Sequence, residues 1–150
     1  MTEIGFYHLT RFSLEQALPK LLEKAYGAGH RILVRTGDAA RLARLDQLLW
    51  TYDADSFLPH GTDPKWGALQ PIHLSAGTER PNEADVLVLV DGRAPEADIA
   101  DFTRCLILFD GTDEAAVTQA RSWWTRLKAD DHPLTYWKQK DSGGWEKGAG

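Results

Sequence analysis

The chain contains a single cysteine in 150 residues, so no internal disulfide can form, as is usual for a protein of a reducing cytosol. Its first residues lack the basic segment and the apolar run of a signal peptide. No apolar run approaches the ~18 residues that a membrane-spanning helix needs. We therefore expect a cytoplasmic protein that does not contact a membrane.

The chain also lacks an excess of basic residues. Its 17 Lys and Arg are outnumbered by 22 Asp and Glu, and the net charge of −5 argues against a protein that coats nucleic acid with its whole surface. A local basic patch stays open. Apart from six tryptophans, the composition, with 43% hydrophobic and 26% charged residues, is typical of one soluble globular domain.

Motifs for nucleotide binding and catalysis are missing too. There is no GxGxxG or GxxxxGK[ST], and the turn after the first predicted strand reads TRFS, without a glycine that would let the backbone approach a pyrophosphate. There is no GxSxG elbow and no HExxH, and the five histidines lack partners at a metal-ligand spacing. We therefore expect no cofactor, no metal and no catalytic residues.

Three residues that could suggest chemistry have simpler interpretations. Cys105 lies in an apolar run, where a buried thiol behaves as a small hydrophobe and not as a nucleophile. Asp53 and Asp55 could be paired carboxylates, but both residue types favour turns and both follow a predicted helix. We interpret all three residues as structural.

Apolar periodicity predicts strands that alternate with helices. The runs DVLVLVD at 85–91 and RCLILF at 104–109 are continuously apolar, which is typical of strands buried on both faces. Further strands are predicted at 3–9, 30–34, 71–74 and 134–138, and helices at 13–27, 39–50, 95–102 and 112–128. Ser13 is the expected cap of the first helix, which ends at Gly27 or Gly29, and Thr112 or Asp113 is the expected cap of the last.

This alternation predicts a three-layer α/β/α domain with a mostly parallel central sheet, Rossmann-like but without a phosphate-binding loop. We expect residues 1–138 to form this single domain. Residues 139–150 are a C-terminal tail, with Ser142, Gly143 and Gly144 as a candidate hairpin turn and a disordered end after it.

The segment after the second predicted helix carries an unusual amount of apolar surface for a short loop. Trp50 ends the helix, and Tyr52, Phe57, Leu58 and Pro59 follow within nine residues. Such a loop either folds back onto its own core or is covered by a partner. The residues alone leave both interpretations open.

The last predicted helix has two different faces. At ~100° per residue, small and apolar side chains fall on one side and a tryptophan between two cations falls on another. The first face, expected against the sheet, comprises Ala116, Ala120, Trp123 and Leu127. The second face, with Trp124 expected to be exposed, comprises Val117, Arg121, Trp124 and Lys128. Arg126 points away from the core in this projection and is expected to be solvated.

Two explanations of the second face remain open. Arg121 and Lys128 complement the negative C-terminal end of the helix dipole, but this leaves an exposed tryptophan between them unexplained. An aromatic ring between basic side chains suits a ligand that has an apolar end and negative charge. An acidic peptide tail with a terminal aromatic residue and single-stranded nucleic acid both meet that description.

Several segments together resemble the chi subunit family of bacterial DNA polymerase III. They are FYHL at 6–9, RLDQLLW at 44–50, SFLPHG at 56–61, DVLVLVD at 85–91 and QARSWW at 119–124. The run LDxxLW followed by SFxPH is the most specific part, and the similarity extends over nearly the whole chain.

The resemblance implies a non-catalytic accessory subunit of the clamp-loader complex, with a nucleotide-binding-like α/β fold that has lost its phosphate loop. It also implies a partner, the psi subunit, bound through the aromatic region after the second helix. The residues at the matching positions are Trp50, Phe57, Leu58, Pro59 and His60.

The same resemblance implies binding of the acidic, Phe-ended C-terminal tail of single-stranded DNA-binding protein through the last helix. Arg121 and Trp124 match best, Lys128 takes a basic position and Val117 shares their face. Thr125 stands where the family often has a further basic residue, which implies weaker tail binding. The resemblance thus implies contact with DNA mainly through partners, at replication forks in the nucleoid. The alternative is a module that binds single-stranded nucleic acid directly through Trp124.

Overall fold

The computed structural model describes residues 2–10, 13–51, 59–63, 65, 70–80, 82–140, 142 and 144–148. Its strands are β1 Glu3–Leu9, β2 Ile32–Arg35, β3 His60–Gly61, β4 Ile72–Ser75, β5 Val86–Leu89, β6 Arg104–Asp110, β7 Leu134–Gln139 and β8 Trp145–Gly148. Its helices are α1 Leu14–Gly27, α2 Ala39–Thr51 and α3 Glu114–Ala129, and a short 3₁₀ helix spans Ala97–Asp101.

The described strands form one sheet in the order β3-β4-β2-β5-β6-β1-β7-β8. All neighbouring strands are parallel except β7 and β8, which pair antiparallel. The predicted fold class, a three-layer α/β domain with a mostly parallel sheet, is therefore confirmed. The two-residue strand β3 was not predicted, because so short a segment has no periodicity to detect.

Helices cover both faces of the sheet. On one face, Leu18 of α1 and Leu45 of α2 join a fully buried cluster with Leu106 and other apolar residues of β2, β4, β5 and β6. On the other face, Trp123 and Leu127 of α3 pack on a second cluster, which is formed by residues of β1, β2, β5 and β6 and of the 3₁₀ helix and its flanks. The sheet is thus buried on both sides over its centre, as its continuous apolar runs predict.

The helix boundaries follow local signals in the sequence. Gln16 Oε1 accepts a hydrogen bond of 2.9 Å from the backbone N–H of Ser13, which begins α1 as a capping box does. The helix continues through Pro19 and ends at Gly27, with Gly29 in a left-handed conformation after it. Of the two predicted ends for this helix, Gly27 and Gly29, the first is correct.

Candidate partner-binding surfaces

A crevice at the C-terminal ends of the strands occupies the place where this class of fold binds nucleotides. Strands β1 and β6 are neighbours, and the helices that follow them, α1 and α3, lie on opposite faces of the sheet. This is a topological switch point, and a cavity of about 770 Å³ lies there.

At this crevice, the chain's own carboxylates occupy backbone N–H groups at the start of α3 and in the turn before it. Asp113 Oδ1 accepts hydrogen bonds from the backbone N–H groups of Ala115 (3.0 Å) and Ala116 (3.5 Å), so the start of α3 already carries a carboxylate. Asp110 Oδ1 accepts from Thr112 N at 2.9 Å in the preceding turn. These contacts oppose the binding of a phosphate. Among the described residues, no three His, Cys, Asp or Glu side chains are grouped as a metal ion would require.

The last helix, α3, carries a candidate binding surface that is separate from this crevice. Ala120, Trp123 and Leu127 are buried against the sheet, as the sequence predicts. On the second face, Arg121 and Lys128 are exposed and Val117 is half-buried. The two cations are seven residues apart, which corresponds to about 10 Å along a helix.

Trp124 is half-buried, and the expectation of an exposed ring is wrong. Its ring packs edge-on against Phe6 of β1, with centroids 5.2 Å apart, and against Tyr136 of β7, with centroids 6.4 Å apart. The helical projection could not predict these contacts, because both partners are more than ten residues distant in sequence. Trp124 is therefore packed against β1 and β7, on the helix face that also carries Arg121 and Lys128.

Strands β1 and β7 add three residues that the sequence did not point to. Tyr136 lies beside Trp124, and its hydroxyl is hydrogen-bonded to His8 Nδ1. Lys138 follows two residues after Tyr136, on the same side of β7, because side chains alternate along a strand. The alternation of Leu134, Tyr136 and Lys138 was the available signal, but only the sheet order shows that these residues lie next to α3.

The electrostatics of this surface are basic. Burial lowers the pKa of His8, and the positive charges of Lys138 and Arg121 lower it further. Burial raises the pKa of Tyr136, and Arg121 opposes that shift. The charge of Arg121 on α3 therefore affects the pKa values of both His8 on β1 and Tyr136 on β7. We call the set Val117, Arg121, Trp124, Lys128, Tyr136 and Lys138 the α3–β7 surface.

Arg126, on the same helix, is not simply solvated as expected. Its guanidinium donates a hydrogen bond of 2.6 Å to the backbone carbonyl of Pro95, on the segment that precedes the 3₁₀ helix. It therefore ties α3 to the neighbouring loop and lies apart from the α3–β7 surface.

A second candidate surface lies at the end of α2. The side chain of Trp50 is 54% exposed, and its ring packs on His60 with centroids 4.6 Å apart. His60 is buried, and its Nε2 lies 3.1 Å from Asp46 Oδ1 of α2. The buried His60 ring therefore packs against the inner side of the exposed Trp50 ring. We call Trp50, Pro59 and His60 the Trp50 surface.

The remaining residues predicted for this surface lie partly outside the described part of the chain. Pro59 is half-buried next to β3. Phe57 and Leu58, and likewise Tyr52, Asp53 and Asp55, are outside the described residues. Cys105 is fully buried, and burial raises the pKa of its thiol to about 12, so its predicted inert role in the core agrees with the structure.

The fold and these surfaces define a class of protein: a nucleotide-fold α/β domain that caps the start of α3 with its own carboxylate and that carries aromatic and basic residues on two surfaces outside the crevice. No helix in the described part of the chain is long and apolar enough to cross a membrane. Comparison with known proteins identifies the family. The family described as "DNA polymerase III chi subunit, HolC" matches residues 1–135.

Individual relatives carry the same name. A probable DNA polymerase III subunit chi of Rickettsia prowazekii is 34% identical over 92 residues, which cover 60% of this chain and 55% of the relative. The DNA polymerase III subunit chi of Pseudomonas aeruginosa is 28% identical over 80% of this chain and 84% of its own length. That of Escherichia coli is 30% identical over 51% of this chain and 53% of its own length. The matches span about half the length of the Rickettsia and Escherichia relatives.

The chain belongs to the DNA polymerase III chi subunit family, which confirms the resemblance seen in its sequence motifs. With this membership it has an accessory role in DNA replication, as a subunit of the chi type.

Proposed function

We propose that this chain connects the clamp-loader complex of DNA polymerase III with single-stranded DNA-binding protein. In this proposal, the α3–β7 surface binds the acidic, Phe-ended C-terminal tail of that protein, and the Trp50 surface pairs with a psi subunit. The observation that carries the proposal is the half-buried Trp124 between exposed cations. The role would place the chain in the cytoplasm, at replication forks in the nucleoid.

The charges of the α3–β7 surface favour an acidic peptide. Arg121 and Lys128 are exposed on α3, and Lys138 is exposed on the adjoining strand. Their positive charges come from two elements and can reach carboxylates on both sides of an extended tail. Charge-assisted hydrogen bonds of this kind are among the stronger contacts at a protein surface, and they weaken as salt is added.

The aromatic residues favour a terminal phenylalanine. The ring planes of Trp124 and Tyr136 lie at nearly right angles, with an interplanar angle of 80° and centroids 6.4 Å apart. A phenylalanine ring at this corner gains edge-to-face contacts with both aromatic rings. Thr125, exposed next to Arg121, supplies no charge. We therefore expect weaker tail binding than in a relative with a basic residue there.

The Trp50 surface has the properties of an interface anchor. Tryptophans are enriched among the residues that dominate binding energies, especially where a rigid ring enters a partner's pocket. The Trp50 ring packs on His60, which itself lies 3.1 Å from Asp46, so little side-chain entropy is lost when a partner covers Trp50. These features support pairing with psi.

The alternative, direct binding of single-stranded nucleic acid by Trp124, is less well supported. Single strands are bound by several aromatic rings on which successive bases stack, whereas Trp124 is one half-buried ring that packs against Phe6 and Tyr136. The cations near Trp124 form a small patch on a chain whose net charge is −5. We therefore expect DNA to be contacted at this surface mainly through the protein tail.

A titration with a fluorescent acidic peptide that ends in Phe tests the tail proposal. Arg121→Ala should weaken binding about tenfold or more, because the exposed guanidinium is removed without disturbing the core. Arg126→Ala is the matched control, since it removes the same charge from the same helix but from a side chain bound to Pro95. Equal losses in both variants, or no binding to the native chain at low salt, would contradict the proposal.

A further inference from the structure

The face of the sheet opposite α3 carries three aromatic side chains that the proposed function does not use. They are Tyr7 on β1, Trp137 on β7 and Trp145 on β8, and all three are half-buried. Tyr7 pairs with Trp137 in the parallel ladder, and Trp145 pairs with Gln139, two residues further along the same face. We call these three rings the aromatic shelf.

Two of the rings lie nearly parallel. The ring planes of Tyr7 and Trp137 differ by 16°, and their centroids are 6.3 Å apart. Trp145 stands almost perpendicular to Tyr7, at 89° with centroids 5.1 Å apart. The rings of Tyr7 and Trp137 therefore form a nearly flat base, and the ring of Trp145 stands at right angles to Tyr7.

Local contacts fix the positions of the Tyr7 and Trp137 rings. A Cβ on Gly5 would lie 2.9 Å from Cε1 of Tyr7, so the tyrosine ring rests where only glycine leaves room. The indole Nε1–H of Trp137 donates a hydrogen bond of 3.2 Å to Thr135 Oγ1. A cleft of about 170 Å³ borders both rings and is also lined by Arg104 and Leu106.

Two cations lie at the margins of the shelf. Lys147 is exposed and is directly opposite Trp137 in the antiparallel ladder, which places both side chains on one face. Burial raises the pKa of Tyr7, and the positive charge of Arg104 opposes that rise, so this charge reaches the ring. Glu3 lies 3.4 Å from Arg104, and this ion pair is largely exposed, so an anionic ligand can compete for the guanidinium.

We propose that the aromatic shelf binds a short segment of single-stranded nucleic acid. Flat rings of fixed orientation suit the stacking of bases, and Arg104 and Lys147 suit the phosphates between them. Double-stranded nucleic acid does not fit, because its bases are already stacked and offer no free face. The site is distinct from the α3–β7 surface, since Trp137 and Tyr136 are successive residues that point to opposite faces of the strand.

The shelf depends on residues beyond the part of the chain that matches the family. That match ends at residue 135, whereas Trp137, Trp145 and Lys147 follow it. The strand β8 that carries Trp145 is the outer edge of the described sheet. The binding of single strands is therefore an inference about this chain and goes beyond the role that we propose for the tail and psi.

Anisotropy of a fluorescent oligothymidylate, titrated with the full chain at low salt, tests this inference. Trp145→Ala and Trp137→Ala should each weaken binding by roughly 5- to 150-fold, the range that base–aromatic stacking contributes. Trp145→Phe, which keeps a ring, should retain most of the affinity. Tyr26→Ala is the matched control, because it removes an exposed aromatic side chain from α1.

The salt dependence separates phosphate contacts from stacking. Two phosphate contacts predict a loss of about sevenfold between ~50 and ~200 mM salt for a single strand. Arg104→Gln should halve the slope of the logarithm of affinity against the logarithm of salt concentration. Arg44→Gln, which replaces an exposed residue of α2, should leave that slope unchanged.

Five results would overturn the inference. Four of them are no binding at low salt, equal binding of duplex and single strand, unchanged affinity in folded Trp137→Ala and Trp145→Ala chains, and equal effects of Arg104→Gln and Arg44→Gln on salt dependence. Sedimentation of the same variants would show whether the shelf instead joins two copies of the chain, which also contradicts it. The acidic-tail titration uses Arg121 on the other face, so either proposal can fail without the other.

Discussion

Trp124 of α3 packs edge-on against Phe6 of β1, with ring centroids 5.2 Å apart and an interplanar angle of 64°. The contact joins the last helix to the central sheet and also fixes the orientation of the Trp124 ring, one turn of α3 from Arg121. One side chain therefore contributes both to the stability of the fold and to the geometry of the proposed tail site. Substitutions of Trp124 need to be interpreted with both contributions in mind.

We predict that Trp124→Ala lowers the free energy of unfolding by about 2–4 kcal/mol, because a half-buried indole and its aromatic contacts are lost. Trp124→Phe should cost less and should retain part of the tail affinity. Urea unfolding of both variants measures the difference. A Trp124→Ala chain as stable as the native one would show that the packing on Phe6 and Tyr136 contributes nothing.

We predict that Trp50, in contrast to Trp124, contributes to partner binding and little to stability. Its side chain is 54% exposed, so Trp50→Ala should change the free energy of unfolding by less than about 1 kcal/mol. Affinity for psi should fall by about 2 kcal/mol or more, as expected for a tryptophan anchor. Calorimetric titration with a psi subunit measures that loss.

Leu49→Ala provides the control for Trp50. Leu49 is the preceding residue and is buried, so its truncation should cost about 2–5 kcal/mol in stability without a direct effect on the interface. Psi affinity that survives in folded Trp50→Ala would place the interface elsewhere.

Tail binding should strengthen as the pH falls. The pKa of His8 is below 6.5, because burial, Lys138 and Arg121 all disfavour its protonated form. A bound acidic tail offsets those positive charges and raises that pKa, so binding takes up protons. By linkage, affinity should increase from about pH 7.5 to about pH 6.

His8→Gln removes the titrating group and is the comparison for this effect. In that variant the tail affinity should depend less on pH over the same range. An identical pH dependence in both chains would show that His8 does not sense the bound tail. The experiment uses the same fluorescent peptide at several pH values and constant ionic strength.

His73 makes a separate contribution to stability. Its imidazole is buried, and Nε2 lies 3.8 Å from Glu79 Oε1, beyond a hydrogen bond. Burial lowers its pKa below the ordinary value of 6.5, with Glu79 and Asp63 opposing the shift. As the pH falls through about 6.5, the unfolded chain takes up the proton first, so stability is present above this pH and is lost below it.

Denaturant unfolding of the native chain and of His73→Gln, from about pH 7.5 to about pH 5, checks this sign. The native chain should lose more stability than the variant over this range. A larger loss in the variant would contradict the assignment of a lowered pKa to His73. Acidic residues with lowered pKa values, such as Asp98 and Asp85, are common to both chains and cancel in the difference.

Local signals in the sequence predicted most of the fold. The apolar runs that became β5 and β6 are long, uniform and bounded by polar residues, so tertiary context did not alter them. Asp113 and Ser13 marked the starts of α3 and α1 because capping is a local interaction. The motifs that resemble the chi family were sufficient to identify it.

The composition of the site was less predictable, since it depends on contacts between distant residues. Tyr136 and Lys138 reach the site only because β7 lies beside β1, and no periodicity encodes the order of strands. The half-buried state of Trp124 has the same origin. Likewise, the bond from Arg126 to Pro95 joins two segments 31 residues apart, which a helical projection cannot show.

The central claim is that an acidic tail binds at Trp124 on the α3–β7 surface. The indole N–H signals of the tryptophans in an NMR spectrum, assigned with single Trp→Phe variants, measure this directly during a titration with the Phe-ended peptide. The account predicts a saturable shift of the Trp124 signal, absent in Arg121→Ala, with the Trp50 and Trp145 signals unmoved. A shift at Trp50 or Trp145 with Trp124 unchanged would contradict it.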